Sequence, residues 1–171
     1  MHKNTPYENA VDLLDADHKA VKRMFIDYNA LAEDGAPAPA RHALAERICQ
    51  ALTLHARIEE EIFYPAVREA TGDEALIEEA VQEHGEAKAA IAQIRGMKPT
   101  SDNYDEAVKQ LGKLIDRHVL EEREQIFLEA QQAALDLRGL AVPLYERKQQ
   151  LMAAAPKAKA PAAKPTKAEK A

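Results

Sequence analysis

Apolar residues recur every three or four positions along most of this chain, which is the spacing of amphipathic α-helices. Turn-forming residues, chiefly Asp34-Gly35, Thr71-Gly72-Asp73 and Pro99, divide the pattern into four long segments. The first helix is predicted to begin between positions 7 and 9 and to end near 33. The others are predicted at about 40–70, 74–97 and 102–137, with a shorter fifth helix at 142–152.

These helices and their short connections predict an all-α fold: an antiparallel up-down-up-down four-helix bundle, with the fifth helix packed on its outside. Asp73 is the predicted N-cap of the third helix, and Ser101 or Asp102 that of the fourth. Pro65 falls inside the second helix and is expected to kink it or to cost it a hydrogen bond. Residues 1–152 are assigned to the bundle. Residues 153–171 are predicted to be a disordered Ala/Lys/Pro-rich tail, because their composition cannot form a core.

The helix faces expected to point inward are mainly apolar. Their members are Val11, Leu14, Val21, Phe25, Tyr28, Leu44, Ile48, Leu52, Ile62, Ala66, Ile77, Val81, Ile91, Val108, Leu111, Ile115, Ile126, Leu144 and Leu151. Six polar residues interrupt these faces: His18, His55, Glu59, His84, His118 and Glu122. Each glutamate follows a histidine by four residues, so the two side chains of each pair lie on one face of the helix, one turn apart.

The six polar residues are also expected at one height in the bundle. A helix rises ~1.5 Å per residue, so the separation of a residue from the connecting turn gives its depth. His18 and His55 lie about 15 and 16 residues from the first turn, and Glu59 and His84 about 12 from the second. His84 and His118 lie about 14 and 17 residues from the third turn. These depths agree to about one helical turn, so the sequence predicts one polar layer inside the core.

Burying four imidazoles and two carboxylates together is very costly unless they are paired or coordinate a cation. A single His-x-x-x-Glu pair is a weak signal, because glutamate is common in this chain and such pairs are ordinarily solvated. All six residues in one layer favour a metal site. The other residues that could bind a metal are interpreted without a functional role. His2 and His42 are assigned no role, Cys49 is expected to pack in the core, and Glu60 and Glu61 are expected to face solvent.

Composition and charge indicate the compartment and the partners of the protein. The 171-residue chain has one cysteine, which excludes an internal disulfide and fits a reducing compartment. No segment resembles a signal peptide or is apolar enough to span a bilayer, so a cytoplasmic protein without membrane contact is expected. Five lysines and one glutamate give residues 153–171 a charge of +4, and since the whole chain carries −6, residues 1–152 carry −10. The acidic body repels phosphate, so any contact with nucleic acid is expected to be weak and to come from the tail.

At the six polar positions the sequence resembles the hemerythrin-like family, also called HHE cation-binding domains. The shared order is His, His-x-x-x-Glu, His and His-x-x-x-Glu, found here in DADHKAV, LHARIEEEIFYP, QEHGEA and RHVLEERE within residues 8–150. Pro65 after the first pair also matches the family. The resemblance implies a centre of two non-haem iron ions inside the bundle. Its implied ligands are His18 and His55 on one iron, His84 and His118 on the other, and Glu59 and Glu122 as bridges between both.

Two departures from the oxygen-carrying members of that family bear on function. Those members have a second histidine four residues after the one on the third helix, and an aspartate five residues after the one on the fourth. Here these positions hold Lys88 and Arg123. Four nitrogens, four carboxylate oxygens and a shared oxo or hydroxo bridge fill about ten of the twelve positions of two six-coordinate irons. About one open position on each iron favours turnover of a small oxidant over reversible oxygen carriage, although zinc or manganese also suits such ligands.

The resemblance leaves several functions open. The first is reaction with peroxide, O2 or NO, which would make the protein an enzyme if peroxide is turned over. The second is binding of O2, NO or iron for sensing or storage, without turnover. The third is repair of damaged iron–sulfur centres. It ranks lower because such proteins usually carry an additional N-terminal segment with a cysteine, whereas the single cysteine here is Cys49. A purely structural bundle would bind no iron.

Overall fold

The four predicted bundle helices are present in the computed structural model, which describes residues 5–156. In chain order the elements are α1 (Ala10–Glu33), α2 (Ala38–Ile58), a π-helical segment (Glu59–Phe63), α3 (Tyr64–Thr71), α4 (Glu74–Gly96), α5 (Tyr104–Glu121), a second π-helical segment (Glu122–Ile126), α6 (Phe127–Gln132) and α7 (Leu137–Ala154). The first π-helical segment joins α2 to α3, and the second joins α5 to α6. Each of these two runs is one continuous helix, which we call a rod. With α1 and α4 these rods form the four-helix bundle, and the predicted all-α fold is confirmed.

The turns between bundle helices follow the predicted residues with one difference. The side chain of Asp73 accepts a hydrogen bond from the backbone N–H of Leu76 and caps α4, as predicted. The N-cap of α5 is Asn103, so the predictions of Ser101 and Asp102 were wrong. The residues before Asn103 form hydrogen-bonded turns that connect α4 to α5, which delays the start of the helix.

Both π-helical segments begin at the glutamate of a His-x-x-x-Glu pair. The first is closed by a hydrogen bond from the backbone N–H of Tyr64 to the carbonyl of Glu59, and the second by one from Phe127 to Glu122. Hydrogen bonds that span five residues in place of four widen the helix and add about one residue to the turn. Pro65 lies just after the first segment, and the helix continues through it. The second segment contains no proline, so proline is not the feature that the two segments share.

The extra residue of the π-helical turn rotates the face that the rest of the helix presents to the core. Ile62 and Ala66, which a constant helical period places inward, are half-buried. The buried side chains are instead Phe63 and Val67, each one position later. The predicted inward face was therefore wrong beyond Glu59, because a constant period does not anticipate a π-helical turn.

Two apolar clusters fill the bundle, one toward each end. The first lies at the start of α1 and the ends of both rods, and its large members include Leu13, Leu14, Phe63, Tyr64, Ile77, Phe127 and Leu144. The second lies at the end of α1 and the starts of both rods, and it includes Val21, Tyr28, Ile48, Leu52, Ile91, Tyr104 and Leu111. Val81 was predicted to point inward but is 40% exposed, and Ala80 is buried in its place. The six polar residues occupy the layer between the two clusters.

The last helix, α7, is longer than predicted and packs against α1 and α2. It begins at Leu137, where the fourth bundle helix was predicted to end, because Asp136 caps it by accepting a hydrogen bond from a backbone N–H of its first turn. The bundle helix itself ends earlier, at Gln132. Two residues of the predicted tail, up to Ala154, are helical. The prediction of disorder for 157–171 falls outside the described residues.

The attachment of α7 depends on Leu144, which is fully buried in the first apolar cluster. Leu144→Ala removes apolar surface and leaves a cavity, so we expect the free energy of unfolding to fall by about 2–5 kcal/mol. Urea denaturation followed by circular dichroism measures this loss. Met152→Ala on the same helix is the control, since Met152 is 53% exposed and its truncation should cost about 0.5 kcal/mol or less. Equal losses in the two variants would contradict the packing role of Leu144.

Candidate metal centre

The six polar residues predicted from the helix faces come together in the interior. Their exposures are 7% for His18, 6% for His55, 0% for Glu59, 4% for His84, 6% for His118 and 1% for Glu122. They come from all four helices of the bundle and lie at one height, as the distances from the turns predicted. His42, to which the sequence assigned no role, is exposed near the start of α2, and His2 lies outside the described residues.

The four histidines form two pairs whose Nε2 atoms face each other. The two Nε2 atoms are 3.0 Å apart between His18 and His55, and 3.1 Å apart between His84 and His118. Glu59 joins the pairs, because its Oε1 lies 2.9 Å from Nε2 of His55 and its Oε2 lies 3.1 Å from Nε2 of His84. One carboxylate therefore presents one oxygen to each histidine pair.

Glu122 also lies between the two pairs. Its Oε2 is 3.4 Å from Nε2 of His18 and 3.3 Å from Nε2 of His118. Neither oxygen of Glu122 has a hydrogen-bond partner in the described part of the chain, although the side chain is buried. A buried carboxylate without a hydrogen bond is costly unless a cation neutralises it. Glu59 and Glu122 thus have matching positions between the two pairs.

Three outer carboxylates fix the orientation of three of the histidine rings. Nδ1 of His55 lies 3.0 Å from Oδ2 of Asp17, and Nδ1 of His84 lies 2.8 Å from Oε1 of Glu60. Nδ1 of His118 lies 2.5 Å from Oε2 of Glu83 in the same way. An Nδ1–H that donates to a carboxylate leaves the lone pair on Nε2, which is the arrangement of a metal-binding histidine.

The chemistry of this donor set fits bound cations. Lone pairs of the imidazole nitrogens and the carboxylate oxygens converge, and such atoms repel one another unless positive charge lies between them. Burial would lower the pKa of His55, but Glu59 and Asp17 outweigh it and hold this pKa well above its ordinary value. The pKa of His118 is raised to about 9, since Glu122 and other carboxylates outweigh the effect of burial. The layer therefore favours positive charge, which protons or metal ions can supply.

Sequence reasoning missed the outer carboxylates. Glu60 was assigned to a solvated face, and this was wrong: its side chain is 27% exposed and contacts His84. The sequence pattern assigned no role to Asp17 or Glu83. A local signal does exist, because each outer carboxylate is the sequence neighbour of a predicted ligand and supports a histidine on a different helix. Periodicity alone gives no such cross-helix pairing.

Tyr64 is a further buried group that the sequence did not single out. Its hydroxyl donates to Oε2 of Glu59 at 3.4 Å and lies 3.2 Å from Nε2 of His84. Burial, then the charges of Glu122 and Glu59, raise the pKa of Tyr64 well above its ordinary value, so the phenol keeps its proton. The π-helical turn before Tyr64 brings it to the polar layer.

A cavity of about 30 Å³ adjoins the polar layer and is lined by all four histidines. Most of its other walls are apolar side chains of the second cluster, such as Val21, Leu52 and Ile91, with Asp17 and Lys88 also among the lining residues. This volume holds about one or two water-sized molecules. The cavity offers space for a small molecule next to the histidines.

Comparison with known proteins agrees with this geometry. The sequence model of the family "Hemerythrin HHE cation binding domain" matches residues 9–130, which include all six polar residues. The chain belongs to the hemerythrin HHE cation-binding domain family. Membership confirms the resemblance inferred from the sequence, and the His/Glu clusters are compatible with cation binding.

Two known proteins are similar to this HHE domain. A crystal structure of a hemerythrin HHE cation binding domain-containing protein, the Rv2633c homolog from Mycobacterium kansasii, superposes with a TM-score of 0.72 at 22% identity. The match covers 85% of this chain and 88% of that one, and it shows a common fold. A "DNA nickase" from Nostoc sp. (strain PCC 7120 / SAG 25.82 / UTEX 2576) is 30% identical over 119 residues. That match covers 70% of this chain and 32% of the relative, so the chain spans about a third of the relative's length.

The two positions at which this HHE domain departs from the oxygen carriers form ion pairs. Lys88 donates to both oxygens of Glu60, at 2.9 and 3.0 Å, and thereby holds the carboxylate that contacts His84. Arg123 donates to Asp15 at 2.7 Å. Both side chains lie outside the polar layer. Among residues 5–156, every helix is too polar or too short to form a membrane span.

Proposed function

We propose that this HHE domain is a non-haem di-iron protein that reacts with a small oxidant (peroxide, O2 or NO) and works in the cytoplasm under oxidative stress. The observation that carries the proposal is the position of Glu59 and Glu122 between the two histidine pairs. Carboxylates that lie between two sets of nitrogen ligands are suited to bridge two cations. His18 and His55 would hold one iron, and His84 and His118 the other.

The mixture of ligands suits iron and differs from that of a structural zinc site. Four imidazole nitrogens together with carboxylate oxygens suit iron better than the thiolate-rich sets typical of structural zinc. The only cysteine, Cys49, is buried in the second apolar cluster and is not part of the polar layer. Bound iron would supply Lewis acidity and redox chemistry at this position.

The residues of the chain would supply orientation and selection. Asp17, Glu60 and Glu83 hold three imidazoles in the orientation that ligation requires. The cavity of about 30 Å³ admits molecules of two or three heavy atoms and excludes larger substrates. The buried hydroxyl of Tyr64 donates to Oε2 of Glu59, so it would hold this carboxylate in position for ligation.

The relative named DNA nickase does not extend this proposal to DNA. The match covers 32% of that protein, so its named activity need not lie in the shared domain. Residues 1–152 of the present chain carry −10, which opposes binding to a phosphate backbone. We therefore propose a small oxidant as the partner, and any nucleic-acid contact would come from the lysines after position 156.

Metal analysis followed by peroxide addition tests the proposal. The purified protein should contain two iron ions per chain, and O2 evolution over many turnovers would identify an enzyme that breaks down peroxide. A single stable spectral change without O2 evolution would identify a sensing or storage protein that keeps the same centre. Absence of iron after reconstitution with Fe²⁺ would refute the di-iron proposal. His42→Ala is the control and should retain full metal content.

A further inference from the structure

A second group of carboxylates lies at the surface beside the polar layer. Glu79 and Glu83 are one turn apart on α4, and Glu121 is the last residue of α5. Each offers an oxygen within 4.8 Å of the others. Glu79 is exposed, whereas the other two are half-buried. An acidic group of this kind is common on protein surfaces, so its meaning depends on what surrounds it.

Glu83 belongs both to this acidic group and to the three outer carboxylates, and its ion-pair partners differ from those of Asp17 and Glu60. Asp17 pairs with Lys148, and Glu60 pairs with Lys88, so each of these carboxylates has a cation on its solvent side. Glu83 has no lysine or arginine within ion-pair distance among residues 5–156. The neighbours of Glu83 in this group are Glu79 and Glu121. The nearby Arg117 pairs with Glu86, and its charge also acts on Glu83 and Glu121. One of the three supporting carboxylates thus has two acids where the others have a lysine.

The acidic group also connects to an unpartnered buried carboxylate. A cavity of about 10 Å³ is lined by Glu79, Glu83 and Glu121 together with His118 and Glu122. Glu122 is 1% exposed, and neither of its oxygens has a hydrogen-bond partner in the described part of the chain. The cavity therefore places the acidic group next to Glu122, with glutamates from the exposed Glu79 to the buried Glu122 among its lining residues.

We propose that Glu79, Glu83 and Glu121 form a loading site that binds a divalent cation weakly and passes it to the centre by way of Glu122. This inference rests on the di-metal centre proposed above. Three carboxylates attract a hydrated divalent cation, and the cation exchanges water for oxygen ligands at each step of the path. The larger cavity is a poorer route for a cation, because the positive charge of Lys88 lies at its wall, whereas four glutamates line the smaller cavity. Oxidant and cation would thus enter by different openings.

The rate of metal uptake tests the loading site. Metal-free protein is mixed with Co²⁺, whose visible absorbance reports coordination in the centre, and the final metal content is measured afterwards. Glu79→Gln/Glu121→Gln removes two charges from the path without touching the six ligands. We expect uptake to slow about tenfold, while the final content stays at that of the wild type. Circular dichroism melting of the metal-free variant should match the wild type, because Glu79 is exposed and each substitution keeps the size and polarity of the side chain.

Glu33→Gln/Asp102→Asn is the matched control, since it removes the same charge at the far end of the bundle, about 22–24 Å from the polar layer. Its uptake rate should equal that of the wild type. The loading site is refuted if the Glu79/Glu121 variant loads as fast as the wild type, or if the control slows to the same extent. Failure of the wild type to take up any Co²⁺ would instead refute the proposed metal centre, and the loading site with it.

Discussion

Glu59→Ala is expected to abolish formation of the metal centre. Glu59 presents one oxygen to each histidine pair, at 2.9 Å from Nε2 of His55 and 3.1 Å from Nε2 of His84. Removal of this side chain would take a ligand from both proposed cations and would leave one carboxylate fewer to offset the repulsion between them. Loss of a supporting group alone typically costs metal sites 10–100-fold in affinity, so a lost bridging ligand should cost more than about 100-fold. Metal content after gel filtration, measured by elemental analysis, should fall from two ions per chain to none.

Glu61→Ala is the matched control for this experiment. Glu61 lies two residues away on the same π-helical segment, but it is exposed and pairs with Arg57 and Arg147. The substitution removes the same negative charge from the same helix, so the metal content of this variant should remain that of the wild type. Two retained ions in Glu59→Ala would show that the centre does not need the carboxylate between the histidine pairs. The ligand assignment would then be wrong.

The sequence was sufficient for the bundle and for the convergence of its polar layer. Helical period places His55 and Glu59 on one face, and the rise per residue places both at the depth of His18 and His84. Both arguments use the regular geometry of the α-helix, and the chain keeps that geometry from each turn up to the polar layer. The predictions for α1 and α2 up to Glu59 are accordingly close to the structure.

The predictions of the inward face were wrong where the chain departs from this regular geometry. Beyond Glu59 the chain adds a residue to one turn, so Phe63 and Val67 are buried in place of Ile62 and Ala66. Propensity contains no signal for this turn, since a π-helix forms where tertiary contacts favour it. Here the turn allows Glu59 to lie in the polar layer and still brings Tyr64 back to it.

Helical periodicity could not identify the outer carboxylates, and the reason is different. Asp17, Glu60 and Glu83 lie at the borders of the helix faces, where polar residues are ordinary and carry no signal. Each one contacts a histidine on another helix, and such contacts depend on which helices are neighbours and on their rotation. A sequence pattern predicts which residues point inward, but a border residue needs the packed bundle before its partner is known.

Removal of the metal should lower the melting temperature strongly. The native bundle would bind the cations through six buried side chains that come together only when it is folded, so binding adds to the free energy of unfolding. At a metal concentration 1,000 times the dissociation constant, this contribution is about 4 kcal/mol. For a domain of this size each kcal/mol shifts the melting temperature by about 2–4 °C, which predicts a decrease of roughly 8–16 °C. Calorimetry of the protein before and after chelation measures the difference. Glu59→Ala should melt near the chelated wild type and should not respond to chelator. An unchanged melting temperature after verified metal removal would mean that protons alone satisfy the buried acceptors, and that bound metal contributes nothing to the stability of the fold.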